Sequence, residues 1–204
     1  MKTTKVLFYC TKGKPYLHRL NKKISFFNDN EFIVENIKRE HYSGYAKYHG
    51  DVNGKIVAEC EVETEEIGLS KYSDYEDTIY LFDTPTLKNY ELTQKSYLSD
   101  DELGDYLTNE KGYALHIKNL KIFDKCYTPF EFGLLTKSKE QMEYEKAYMF
   151  KYINKAPQNM MRAYKKGQTY VLISVRPEWL CKILNGEKTI EVRKKVLKEM
   201  LPNE

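Results

Sequence analysis

The residues from Tyr170 to Lys194, YVLISVRPEWLCKILNGEKTIEVRK, leave a folding chain few choices. Val171, Leu172, Ile173 and Val175 are mostly β-branched and read as a short buried strand. Pro177 then stands where a first helical residue is favoured, since its fixed φ suits that turn and its missing N–H has no partner there. Trp179, Leu180, Ile183 and Leu184 form the apolar stripe of a short amphipathic helix. Gly186 is placed to end it in the left-handed conformation. A second strand follows, with Ile190 and Val192 on one side and Thr189, Glu191 and Arg193 on the other. The spacing therefore predicts strand, helix, strand, with Glu191 and Arg193 on one exposed face and Lys188 at its root.

Charge is unevenly placed along the 204 residues. From Glu59 to Glu110 there are 15 acids and 3 bases, a net of −12, whereas the whole chain carries +3, so the remainder carries +15. Such segregation predicts a basic face able to meet phosphates and an acidic segment turned elsewhere. The 18 tyrosines suit half-buried strand positions, and tyrosine can also stack on bases. No apolar run reaches the roughly 20 residues that span a membrane. The opening MKTTKVLFYC runs into strand-like sequence without an apolar leader and a small-residue cleavage site. Cys10, Cys60, Cys126 and Cys181 are far apart and never spaced as CxxC, which points to a reducing cytoplasm rather than a disulfide framework or zinc site. His41 and His49 lack neighbours to complete a metal set, and no cofactor is expected.

Elsewhere, Lys5–Cys10 reads as a buried strand followed by a basic loop carrying Lys12 and Lys14. Ile24–Phe27 and Phe32–Ile37 are strand-like around an Asn28-Asp29-Asn30 turn, and His41–Gly50 reads as a loop. Asn53-Gly54 leads into a strand over 55–62, while 72–90 shows no clear pattern. Ser99 to Glu102 is a capping box opening a helix through Leu107. Gly112–Phe123 reads as one strand or a bent pair, with His116 a satisfied structural histidine. Ser138 caps a helix over 137–153, with Met142, Ala147, Tyr148 and Met149 inward; Lys165-Lys166-Gly167 is a turn.

Gly186, Lys188, Glu191 and Arg193 match the four positions of a GxKxxExR signature, and the preceding ISVRPEWLCKILNG matches the strand and helix expected before it. In these residues the chain resembles the ASCH domain family of PUA-like β-barrels. KVLFYCTKGKP, GKIVAECEV and GYALHIKNLKIFDK, at 5–15, 54–62 and 112–125, resemble later family segments but stand ahead of the signature. Lys155–Gln158, KAPQ, resembles the family's usual end. The resemblance therefore implies a single α+β domain over 1–204, a circularly permuted PUA-like barrel with flanking helices. In it 170–194 completes a barrel begun by 5–125 and the termini lie close together. A swapped dimer, exchanging the C-terminal strand-helix-strand about the 165–167 hinge, is the alternative.

The same resemblance implies a nucleic-acid-binding module, with RNA as partner. Lys188, Glu191 and Arg193 are its site, Lys12, Lys14 and Arg176 its flanking cations, and Tyr9 or Trp179 its candidate stacking residues. Arg193 offers a planar fork for phosphate. Two alternatives stay open. One is an RNA or modified-nucleoside hydrolase of ribonuclease or amidohydrolase type, with Lys188 and Glu191 as catalytic candidates. A threonine nucleophile is disfavoured because Glu191 occupies the position it would need. The other is a small phage-type factor binding a protein through the acidic segment 59–110.

Overall fold

In the computed structural model the described residues are 3–10, 54–73, 78–108, 111–138, 140–141, 153 and 159–201. For Asp124, and for strands at 16–20, 23–27 and 46–51, only the backbone is described. The chain is a mixed α+β protein with ten described strands and three described α-helices: β1 (Thr3–Cys10), β2 (Tyr16–Leu20), β3 (Lys23–Phe27), β4 (Ala46–Asp51), β5 (Ile56–Ser73), β6 (Thr78–Asp83), α1 (Asn89–Ser96), α2 (Asp100–Leu107), β7 (Gly112–Tyr127), β8 (Met160–Lys165), β9 (Gln168–Val175), α3 (Pro177–Leu184) and β10 (Ile190–Arg193). A 3-10 turn follows at Lys198–Met200. The main sheet runs β10-β7-β5-β1-β9-β8 with β6 also on β5, and a second sheet runs β3-β2-β4. Among the described residues no pairing joins β10 to β8, so this ladder is open.

The residues divide into two compact units. One comprises Met1–Thr4, Glu61–Asn119 and Gly186–Glu204; the other comprises Lys5–Cys60 and Leu120–Asn185. In the second unit β1 lies parallel to β9, with Val6 opposite Val171 through Cys10 opposite Val175. Both strands are buried from end to end of this register apart from side-chain edges. That is why neither KVLFYC nor YVLISV alternates: a parallel strand covered on both faces needs an unbroken apolar run. Leu7, Tyr9, Ile56, Leu134, Ile153, Ala163, Tyr170 and Leu172 share this unit's core. Pro177 opens α3 as expected, and Gly186 follows the helix with φ +76.

The first unit buries Ile67, Phe82, Leu92, Leu103, Leu107, Ala114, Ile190 and Val192 together. Asn89 ties its pieces: its Oδ1 accepts from Phe82 N (2.9 Å) and its Nδ2 donates to Asp100 (3.0 Å). Ser99 caps α2 reciprocally with Glu102.

Several sequence expectations change. His41–Gly50 is not all loop, because 46–51 forms β4 against β2. The strand expected over 55–62 continues to Ser73, through a run of acids with poor strand preference. Cross-strand partners on β7 compensate: Lys118 reaches Glu63 (2.7 Å), Asn119 reaches Glu61 (2.7 Å) and His116 reaches Glu65 (2.7 Å). Lys118 holds the Glu63 carboxyl below its usual range. Within 72–90 lie β6 and the start of α1, and β8 begins already at Met160. Gly112 opens one long strand, in which Asn119 takes φ +51. Ser138 and Gln141 do cap one another (3.1 and 3.2 Å), but 142–152, the strand at 32–37, the turn at 28–30 and the outermost terminal residues lie outside the described residues.

Gly104 on α2 provides a packing test. A Cβ there would run into the Tyr80 ring, whose hydroxyl is fixed on Asp105 at 3.0 Å. Alanine gains about 1 kcal/mol of helix propensity at such a position, whereas overpacking costs about 1–3 kcal/mol. Gly104→Ala is expected to lower the thermal midpoint; an unchanged or raised midpoint would show that the ring moves freely.

Candidate functional site

The signature residues assemble through backbone register. β10 pairs antiparallel with β7, placing Glu191 opposite Leu115 and Arg193 opposite Tyr113, while Ile190 and Val192 enter the core beside Ala114. Glu191 and Arg193 thus share a face, as the alternation required. That face is not exposed, however. Glu191 is 8% and Lys188 3% accessible, and the Arg193 side chain is 14% accessible.

Burial follows from α1, an element the sequence did not announce. Its last-turn carbonyls would otherwise be orphaned. Instead Thr189 N donates to Lys95 O (3.0 Å) and Lys188 Nζ donates to Ser96 O (2.6 Å). The ammonium therefore sits at the helix's C-terminal, partially negative end, where the macrodipole favours a cation. Nζ also lies 3.4 Å from Glu191 Oε2, while Glu191 Oε1 meets Arg193 Nη2 at 2.9 Å. Glu191 bridges two cations, one with each oxygen. With a cation against each oxygen, neither is left turned toward a substrate to take a proton from it. The carboxylate is well suited to fixing a guanidinium in one orientation.

Arg176 belongs to the other unit, where it precedes α3, is exposed and lies 4.0 Å from Glu178. Lys12, Lys14 and His41 lie outside the described residues, and His49 is described only in its backbone, opposite His18. Tyr9 is 7% accessible within the core, which removes it as a stacking residue. Trp179 is half-buried. His116 is held by Glu65, whose other oxygen accepts from Thr86 N (3.1 Å) and Oγ1 (2.7 Å); this matches a satisfied structural histidine. Sequence reasoning missed the cations after Arg193. Lys194 is half-buried, donating to Thr108 Oγ1 (2.9 Å) and lying 5.4 Å from the Tyr106 ring centre, while Lys195 and Lys198 are exposed. The adjacent Lys194-Lys195 pair was the available signal. Among the described residues no three histidine, cysteine or carboxylate groups gather as a metal set, and no helix is long and apolar enough to cross a membrane.

Removing a buried cation from a carboxylate leaves charge uncompensated, at a cost of about 3 kcal/mol. Lys188→Met, which keeps the stem, should therefore destabilise the protein by about that amount in urea unfolding. Adding Glu191→Gln should cost less than the two single changes summed. A Lys188→Met protein within about 0.5 kcal/mol of wild type would refute a structural ammonium, since changes that small mark surface positions.

No protein-family model matches this chain, and no curated protein or solved structure matches it either.

Proposed function

We propose that the chain is a PUA-like module of the ASCH type, in permuted order, that binds RNA through the end of β10 and the residues after it. The observation that carries this reading is the Glu191 bridge: Arg193 is held by its Nη2 on a buried carboxylate that Lys188 also anchors. A guanidinium oriented in advance loses less freedom when it meets a phosphate. Exposed Lys195 and Lys198 follow directly, supplying phosphate contacts that need no burial. Strand, Pro-started helix, left-handed glycine and second strand in sequence agree with the signature's context. Hydrolysis is the weaker reading, since both oxygens of Glu191 face cations.

Protein binding through the acidic segment is favoured by one separate observation. In the β5–β6 hairpin, Tyr72 stands opposite Ile79 and Ser70 opposite Leu81, and these side chains are exposed. Tyr72, Ile79 and Leu81 are 62%, 58% and 48% accessible, an apolar face beside the exposed Asp83.

The test is an anisotropy titration with short RNAs at several salt concentrations. Wild type should bind with an affinity that falls steeply as salt rises, and Arg193→Gln should weaken it on the order of tenfold, the lower range for a lost charge-assisted contact. Arg193→Lys should recover only part, because an ammonium lacks the planar fork. Salt-insensitive binding, or a folded Arg193→Gln protein that binds like wild type, would refute the reading. Cleaved RNA would favour the hydrolase. A partner lost on charge reversal at Asp100–Asp105, but kept without Arg193, would favour protein binding.

A further inference from the structure

The second unit carries a feature that the signature does not explain. β8 and β9 pair antiparallel from Met160 opposite Ile173 to Lys165 opposite Gln168, leaving a two-residue loop, Lys166-Gly167. Both loop residues have positive φ, +48 and +77. A hairpin of this kind prefers Asn, Asp or Gly at its first position, where a lysine is strained. Lys165 is unusual as well. Its ammonium lies 3.4 Å from the centre of the Phe132 ring, and burial together with the neighbouring Lys166 charge pushes its pKa down. The Lys166 charge outweighs that of Glu59 on this ammonium, so the two adjacent lysines keep a local excess of positive charge.

Beside them is a half-buried aromatic cluster, with Phe123 and Phe132 packed against the core. Phe123, Tyr127 and Phe132 form a triangle with centroid separations of 5.9, 5.4 and 5.6 Å. Lys125 lies 5.8 Å from the Tyr127 ring centre. Phe130 is 57% accessible on a tight turn after Pro129, where Phe132 N donates to Thr128 O and Glu131 accepts from Thr128 N and Oγ1. That turn spends the Glu131 carboxylate internally, and Glu59 is engaged by Lys121 at 3.1 Å. Fixed aromatic faces among lysines are what a single strand uses, bases stacking and phosphates meeting ammonium groups.

We propose that the Phe130 turn and the Lys165-Lys166 hairpin form a second contact for single-stranded nucleic acid, in which Phe130 stacks on a base and Lys166, with Lys125, meets the backbone phosphates. This rests on the RNA-binding reading above and extends it to strand type. The ligand class is a flexible phosphodiester with unpaired bases; a duplex hides its base faces and offers Phe130 nothing to stack on.

A uridine decamer and an abasic ribose-phosphate chain of the same length serve as probes in salt-dependent anisotropy with the full chain. Phe130→Ala should weaken decamer binding on the order of tenfold and leave the abasic chain unchanged, since only stacking is removed. Lys166→Asn, which suits the positive φ and so should not unfold the hairpin, should weaken both probes and reduce the slope of log affinity against log salt by about 0.7. Decamer binding unaffected by Phe130→Ala, equal losses on both probes, or an unchanged slope for Lys166→Asn would each overturn the inference. Binding abolished by Arg193→Gln but intact in both of these variants would overturn it while sparing the β10 reading. A wild-type protein that binds neither probe would overturn both.

Discussion

An ammonium group cannot be withdrawn from water without replacement partners, and much of the first unit meets that demand at Lys188. The end of α1 supplies a carbonyl, β10 supplies Glu191, and Glu191 in turn fixes Arg193. One cation thereby sets the seat of a helix, the face of an edge strand and the orientation of a guanidinium. A hydrophobic residue at 188 could fill the space, but it would specify none of these directions. Polar burial here fixes directions as well as contributing stability.

The same trade recurs along β5. Glutamates are poor strand formers, yet Glu61, Glu63 and Glu65 each meet a donor on β7. Part of the acidic charge that looks unbalanced in one dimension is hydrogen-bonded or ion-paired in three. Among the described residues of the acidic segment, the exposed acids lie on β5, β6 and α2.

What could be read from the sequence follows the same physics. β1, β9, α3 and β10 announce themselves because unbroken apolar runs, Pro177 and Gly186 act locally, whatever the rest of the chain does. α2 was legible through Ser99 and Glu102, a cap formed within one turn. α1 was not: Lys88 is a weak cap residue, Asn, Tyr, Thr and Ser fill much of its length, and only Leu92 and Ser96 are buried. Its helicity comes from docking. The far half of β5 was hidden for the matching reason, since its partners lie some 50 residues later in β7. At the site, the identity of Lys188, Glu191 and Arg193 was readable and their burial was not, because burial depended on that unforeseen helix.

The first unit is drawn from three separated stretches, at 1–4, 61–119 and 186–204, whereas the second is complete in sequence once Asn185 has been made. Lys188 and Ser96, which bond to each other, are 92 positions apart. On a ribosome adding roughly 5–20 residues per second, α1 emerges several seconds before the lysine that closes its end. During that interval the α1 carbonyls and the core that awaits Ile190 and Val192 stay open to water and to other chains. The second unit also completes only at Asn185, so through most of the interval neither unit can close, and like charge along the acidic stretch discourages association between nascent neighbours.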